Sequence, residues 1–123
     1  MLRILLVSAR REAFRSFTQT LSLDPEVRIE VVPSGAEALA AVRIASPQLA
    51  VIDSELPDTD AMLLVRDLMM VNAMINTAVV SSLSEEQFHE VSEGLGVLAR
   101  LPLVPGKRDA TELLEKLRKV TGG

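Results

Sequence analysis

Leu49-Ala50-Val51-Ile52-Asp53-Ser54-Glu55-Leu56-Pro57-Asp58-Thr59-Asp60-Ala61 is a short apolar run that ends abruptly in an acid and passes into a turn. A run of this length and β-branching reads as a strand buried on both faces. In an open α/β sheet the residue at the carboxyl end of such a strand faces the ligand crevice, and here that residue is Asp53. Pro57 cannot continue the strand, and Asp58 and Asp60 suit a turn and a helix N-cap. Taken alone, the segment leaves two readings for Asp53: a crevice acid with a chemical role, or a turn acid that caps something local.

The flanking sequence repeats the same unit. Leu2 to Val7 reads as a first strand that stops at Ser8-Ala9-Arg10-Arg11, and Ala13, Phe14, Phe17 and Leu21 recur at helical spacing until Asp24-Pro25. Val27 to Val32 is a second strand. Ser34-Gly35-Ala36-Glu37 has the form of a capping box, with the serine hydroxyl and the glutamate each satisfying an orphan helical N–H, and opens a helix to about Ala45. After the Asp53 strand, Asp60 caps a helix through about Val71. The greasy end of that helix, Met69-Met70-Val71 with Met74-Ile75, is read as core packing; exposed methionines there would instead make a partner surface. Thr77 to Ser82 is a fourth strand, Ser84-Glu85-Glu86-Gln87 a second capping box whose helix ends near Gly94 and Gly96, and Val97 to Val104 a fifth strand. Asp109-Ala110-Thr111-Glu112 has the form of a third cap, before the apolar stripe Leu113, Leu114, Leu117 and Val120.

Five strand-helix units in strict alternation predict an α/β fold: a doubly wound, five-stranded parallel sheet with right-handed crossovers. The order expected for five units is 2-1-3-4-5, flavodoxin-like, which puts the switch point between the first and third strands, bounded by Ser8 to Arg10 and by Asp53. The 123 residues make one domain over 1–121, with 122–123 as a frayed end or a truncation point. A net charge of −4 argues against a nucleic-acid surface, and the absence of cysteine with a single histidine excludes disulfides, thiol chemistry and Cys- or His-rich metal sites. The cysteine-free composition favours a cytoplasmic setting, and no stretch reads as an export signal or a membrane span. Phosphate-binding glycine loops, dinucleotide fingerprints and serine-histidine-acid arrangements are absent.

The Asp53 segment, with Ile4-Leu5-Leu6-Val7 and Ser34-Gly35-Ala36-Glu37-Ala38-Leu39, resembles the receiver domain of two-component response regulators over nearly the whole chain. Asp53, Leu56, Pro57 and Asp60 reproduce that family's D-x-x-L/M-P-x-x-D spacing, with Ala61 where a glycine is usual. The resemblance implies a phosphorelay signalling domain, not an enzyme, in which Asp53 is the phosphoacceptor. It further implies Ser82 as the hydroxyl residue that binds the phosphoryl oxygens, with Ser81 as the rival register. Counting on from Ser82 puts Val104, before Pro105, at the position of the family's lysine; Lys107 could substitute only if its loop folded back. Leu101 takes the place of an aromatic that often reports activation.

The first strand departs further. Receivers carry an acidic pair there that holds magnesium with the phosphoacceptor and a backbone carbonyl, and this chain has Ser8-Ala9 and then Arg10. Asp53 and the Glu55 carbonyl remain as metal ligands, a thin site for a cation that wants several hard oxygens, so no cofactor is expected and magnesium would be held weakly at best. With both metal and lysine cation compromised, charge neutralisation during phosphoryl transfer is poor. Arg10 could pair with Asp53 and take over part of that task, since a guanidinium matches carboxylate or phosphate with a planar fork; alternatively Arg10 and Arg11 point to solvent. The expectation is an atypical receiver with Asp53 as phosphoacceptor. Its alternative is a non-phosphorylated pseudo-receiver that docks a sensor kinase, an output protein or a second copy through the fourth helix, fifth strand and fifth helix. A small α/β enzyme built on Asp53 lacks a second catalytic group.

Overall fold

The computed structural model describes residues 1–122; Gly123, in the expected frayed end, lies outside them. Strand β1 (Leu2–Val7) is followed by a short 3-10 turn (Arg11–Phe14) and α1 (Arg15–Ser22). Then come β2 (Val27–Val32), α2 (Gly35–Ile44), β3 (Leu49–Ile52), α3 (Ala61–Val71), β4 (Asn76–Val80), α4 (Glu85–Ser92), β5 (Val97–Leu101) and α5 (Lys107–Thr121). All pairings are parallel and the strand order is β2-β1-β3-β4-β5, the doubly wound arrangement that the alternation predicts.

Side-chain alternation along the inner strands supplies both cores. Ile4 and Leu6 of β1 with Leu49 and Val51 of β3 pack under Phe14, Phe17, Leu113 and Leu117. Their neighbours Leu5, Val7, Ala50 and Ile52 face Ala38, Val42, Leu64, Leu68 and Phe88 on the other side. No helix among the described residues is long and apolar enough to cross a membrane.

Several boundaries differ from expectation for local reasons. β4 stops at Val80, so Ser81 and Ser82 lie in the loop, and β5 stops at Leu101 because Pro102 has no N–H to extend the ladder. The segment from Arg11 opens as a 3-10 turn, with no side chain capping it. α5 starts at Lys107: Asp109 is its third residue rather than its cap, and its carboxylate accepts the Gly106 N–H at 2.8 Å. At α2 the serine half of the expected capping box forms, Ser34 Oγ accepting the Glu37 N–H at 3.2 Å. The return bond from Glu37 to the Ser34 N–H does not form; Asp58, from the loop after β3, caps two other groups of the first turn, accepting the Gly35 and Ala36 N–H at 2.8 and 2.9 Å. A Cβ on Gly35 would stand 2.5 Å from Thr59 Cγ2, so glycine is what lets this loop seat on α2.

The end of α3 corrects the core-packing reading in part. Ile75 is buried and Met69 half-buried, but Met70 and Met74 are 83% and 84% exposed. Gly94 and Gly96, with φ of +81° and +64°, turn the chain from α4 into β5.

Candidate functional site

Asp53 follows β3 directly, at the carboxyl end of the central strand, and its N–H donates to the Val7 carbonyl at 2.9 Å. That bond brings the ends of β1 and β3 together, so the residues after β1 face the carboxylate. The Asp53 side chain is 0% exposed, and a carboxylate so sequestered needs partners for both oxygens. It has four at short range. Arg10 donates from Nε to Oδ2 at 2.9 Å and from Nη2 to Oδ1 at 2.7 Å, a two-pronged guanidinium-carboxylate pair. Ser8 Oγ donates to Oδ2 at 2.7 Å, and the Ser54 N–H donates to Oδ1 at 2.7 Å.

Arg10 is itself fixed. Its backbone N–H donates to Ser8 Oγ at 2.9 Å, and its guanidinium carbon lies 5.9 Å from the centroid of the Phe14 ring. Nη2 also donates to the Leu103 carbonyl at 3.0 Å, so one side chain spans the loops that follow β1, β3 and β5. Arg11, by contrast, is exposed and forms no ion pair among the described residues. Of the two fates open to Arg10 in the sequence, its geometry here is the pairing.

Burial is the largest influence on the Asp53 carboxyl and pushes its pKa upward. The guanidinium, the Ser8 hydroxyl and the Ser54 N–H together outweigh it and hold the pKa below the ordinary aspartate value. The same hydrogen bond raises the Arg10 pKa. Asp58 is lowered as well, by its bonds to the Gly35 and Ala36 N–H groups.

The other residues singled out in the sequence do not converge on this carboxylate. Ser82 is exposed, with no hydrogen bond to Asp53, while Ser81 Oγ accepts the Leu83 N–H at 3.1 Å. Val104 is exposed, and Lys107 lies beside Thr18, Ser22 and Leu23 on the α1 side and does not pair with Asp53. Asp60 caps α3, accepting the Met62 N–H at 3.3 Å. The donor set does not fit magnesium. Both Asp53 oxygens are taken by N–H and O–H donors, and no three metal-binding side chains cluster among the described residues.

The role of Ser8 goes unnoticed in the sequence, although its place at the end of a buried strand beside the switch point was a usable signal. The Leu103 carbonyl left no signal, because backbone acceptors are the same at every position.

No protein-family profile matches the chain, and no curated protein matches it either. Solved structures do. A response regulator receiver domain protein (CheY-like) from Methanospirillum hungatei JF-1 aligns with a TM-score of 0.83 at 23% identity, covering 100% of this chain and 99% of that one. The chemotaxis response regulator CheY4 of Vibrio cholerae aligns with a TM-score of 0.82 at 17% identity, over 95% and 98%. A two-component response regulator from Legionella pneumophila aligns with a TM-score of 0.79 at 17% identity, over 97% and 99%. The chain has the receiver fold, end to end.

Proposed function

We propose that this chain is a receiver-type signalling domain of the cytoplasm that works as a protein-interaction module, without accepting phosphate at Asp53. A sensor kinase or an output protein is its partner. One observation carries this reading: the carboxylate that would be the nucleophile is buried and already bears four short hydrogen bonds, two of them from a guanidinium.

A phosphoacceptor must offer an oxygen lone pair to the incoming phosphorus and share a cation with it. Here the cation is covalently part of the chain and grips both oxygens, so attack on a phosphoryl donor requires Arg10 to let go of at least one. In exchange, Arg10 joins the three loops of the crevice without any added ligand. Such a domain holds one arrangement of its Leu103-Val104 loop and presents it to a partner.

The rival reading, an atypical receiver phosphorylated on Asp53 with Ser82 binding the phosphoryl oxygens, has the position of Asp53 and the spacing of Leu56, Pro57 and Asp60 in its favour. Incubation with acetyl phosphate and magnesium, followed by intact mass, separates the two. The interaction module shows no phosphoryl adduct on the native chain or on Asp53→Asn. An adduct on the native chain that Asp53→Asn lacks would establish the rival.

A further inference from the structure

β2 is one edge of the sheet, and its outer side has no strand beside it among the described residues. The ladder to β1 uses alternate residues of β2. The Leu2 N–H donates to the Glu26 carbonyl at 2.7 Å, and the Ser8 N–H to the Val32 carbonyl at 2.9 Å. Between those ends Arg28 and Glu30 turn their backbone groups toward β1, so Ile29 and Val31 turn theirs outward, as does the Val27 carbonyl. The Val27 N–H is already taken by the Asp24 carbonyl at 3.1 Å. What remains is a row of unmet donors and acceptors, the template on which a further strand pairs. No proline interrupts Val27–Val32, whereas the other edge strand, β5, is stopped at Pro102.

Both faces of this edge leave room for the side chains of a neighbouring strand. On one, half-buried Ile29 and Val31 line a groove of about 430 Å³ beside Arg15, Thr18 and Ser22 of α1. On the other, Ala41 and Ala45 of α2 are too short to fill the space beside Arg28 and Glu30, and a cavity of about 80 Å³ remains.

The charges select both the occupant and its register. A second copy of β2 can pair antiparallel only where outward-turned residues face outward-turned residues, which restricts a two-fold axis through the middle of the strand to Arg28, Ile29 or Glu30. An axis at Arg28 or at Glu30 sets that residue against itself, like charge on like. The axis at Ile29 sets Arg28 of each copy against Glu30 of the other, because residues one step either side of the axis exchange places. These are the closer, non-hydrogen-bonded pairs, while on the opposite face Ile29 meets Ile29 and Val27 meets Val31. Neither Arg28 nor Glu30 has an ion pair within its own chain among the described residues. Arg28 reaches only the Pro25 and Val27 carbonyls, at 3.5 and 3.4 Å, and its neighbour across the ladder in β1 is Arg3, a like charge. A second copy supplies the acid that this row lacks.

We propose that two copies of this chain join their β2 strands antiparallel about a two-fold axis at Ile29, making one continuous sheet. This places the second copy at the opposite edge from the α4, β5 and α5 face expected to dimerise, and it does not depend on the reading of the Asp53 crevice. Six residues a side make a small contact, so dissociation on the order of tens of micromolar follows.

Sedimentation equilibrium from about 1 µM to 1 mM tests it. The native chain should pass from monomer to dimer. Ile29→Pro removes the N–H at the axis and spares the β1 ladder, so it should stay monomeric with unchanged circular dichroism. Arg28→Glu and Glu30→Arg each set like charges across the axis and should weaken the dimer about tenfold. Mixed in equal amounts, these two single variants face acid with base at both contacts and should associate to within about threefold of native, as should the double variant. A native chain that stays monomeric throughout, a dimer that Ile29→Pro leaves intact, or a mixture no tighter than its separate components overturns the proposal.

Discussion

The Asp53 crevice and the outer face of α3 treat charge in opposite ways. At the crevice a single carboxylate is withdrawn from water completely, and every lone pair it offers is met by a donor from its own chain. On α3 an arginine and an aspartate stand adjacent in water without a partner, between apolar side chains that nothing covers. A buried charge is stabilising only if its partners are complete, whereas an exposed one costs little to leave open. The first region is therefore finished within the monomer, and the second has capacity left for another molecule. Changes at the crevice should act on stability, and changes on the outer face of α3 should leave it nearly untouched.

The largest effect should come from taking the cation away from the crevice. Removing one member of a buried ion pair costs about 3–5 kcal/mol. Arg10 is 35% exposed, and Ser8 and Ser54 still hold the carboxylate, so Arg10→Ala should lose about 2 kcal/mol. In a chain of this length that is a fall of roughly 6–10 °C in Tm by calorimetry. A loss below about 0.5 kcal/mol would mean that the guanidinium pairs without stabilising, and that the crevice is no more finished within the monomer than α3.

Acid titration sharpens the same point. In the native chain the folded-state pKa of Asp53 lies below its unfolded value. Its stabilising contribution is thus fully present above the unfolded value and is lost as pH falls through the folded one. In Arg10→Ala burial is opposed by Ser8 and Ser54 alone, and the folded-state pKa moves up. Stability lost between about pH 7 and pH 3 should accordingly be smaller in Arg10→Ala than in the native chain. Urea unfolding at the two pH values measures this, and an equal loss in both proteins would separate Asp53 titration from Arg10.

A smaller loss is expected where the loop after Asp53 seats on α2. Gly35→Ala drives a methyl into Thr59 Cγ2, at a cost of about 1 kcal/mol, the low end for overpacking because the Thr59 side chain is only half-buried and can rotate away. Combining it with Thr59→Ser, which removes the struck methyl, should recover most of the loss in chemical denaturation. The smallest effect on stability belongs to α3, where Met70 is 83% exposed: Met70→Glu should leave chemical unfolding unchanged within about 0.5 kcal/mol.

Most of the fold was legible because burial imposes period and length. The β1 and β3 runs could only be strands covered on both faces, and the caps Ser34, Asp60 and Ser84 stand one residue before their helices. Legibility failed where side chains cross between elements. Glu37 has the right spacing to reach back to Ser34 but does not, and Asp58, distant in sequence, takes the Gly35 and Ala36 N–H groups of the same turn. Asp109 has the composition of a cap and lies three residues inside α5 instead, because Gly106 already provides the extended residue. The position of Asp53 could be read from its strand, but the aim of Arg10 could not, since a loop residue has no periodicity to give it direction. Composition favours the core for Met70 and Met74 but does not distinguish the two faces of α3, on whose outer side they lie exposed.

The bond from Arg10 to the Leu103 carbonyl also bears on how the sheet opens. β5 is an edge strand, joined to the rest through β4 alone. At its far end that chain is held to Asp53 by a side chain anchored in the interior. At its near end it emerges from Gly94 and Gly96, beside the irregular pairing at Thr77 and Ala78. Deuterium uptake should therefore begin at Val97 and travel toward Leu101, so that the strand peels from one side like a hinged flap.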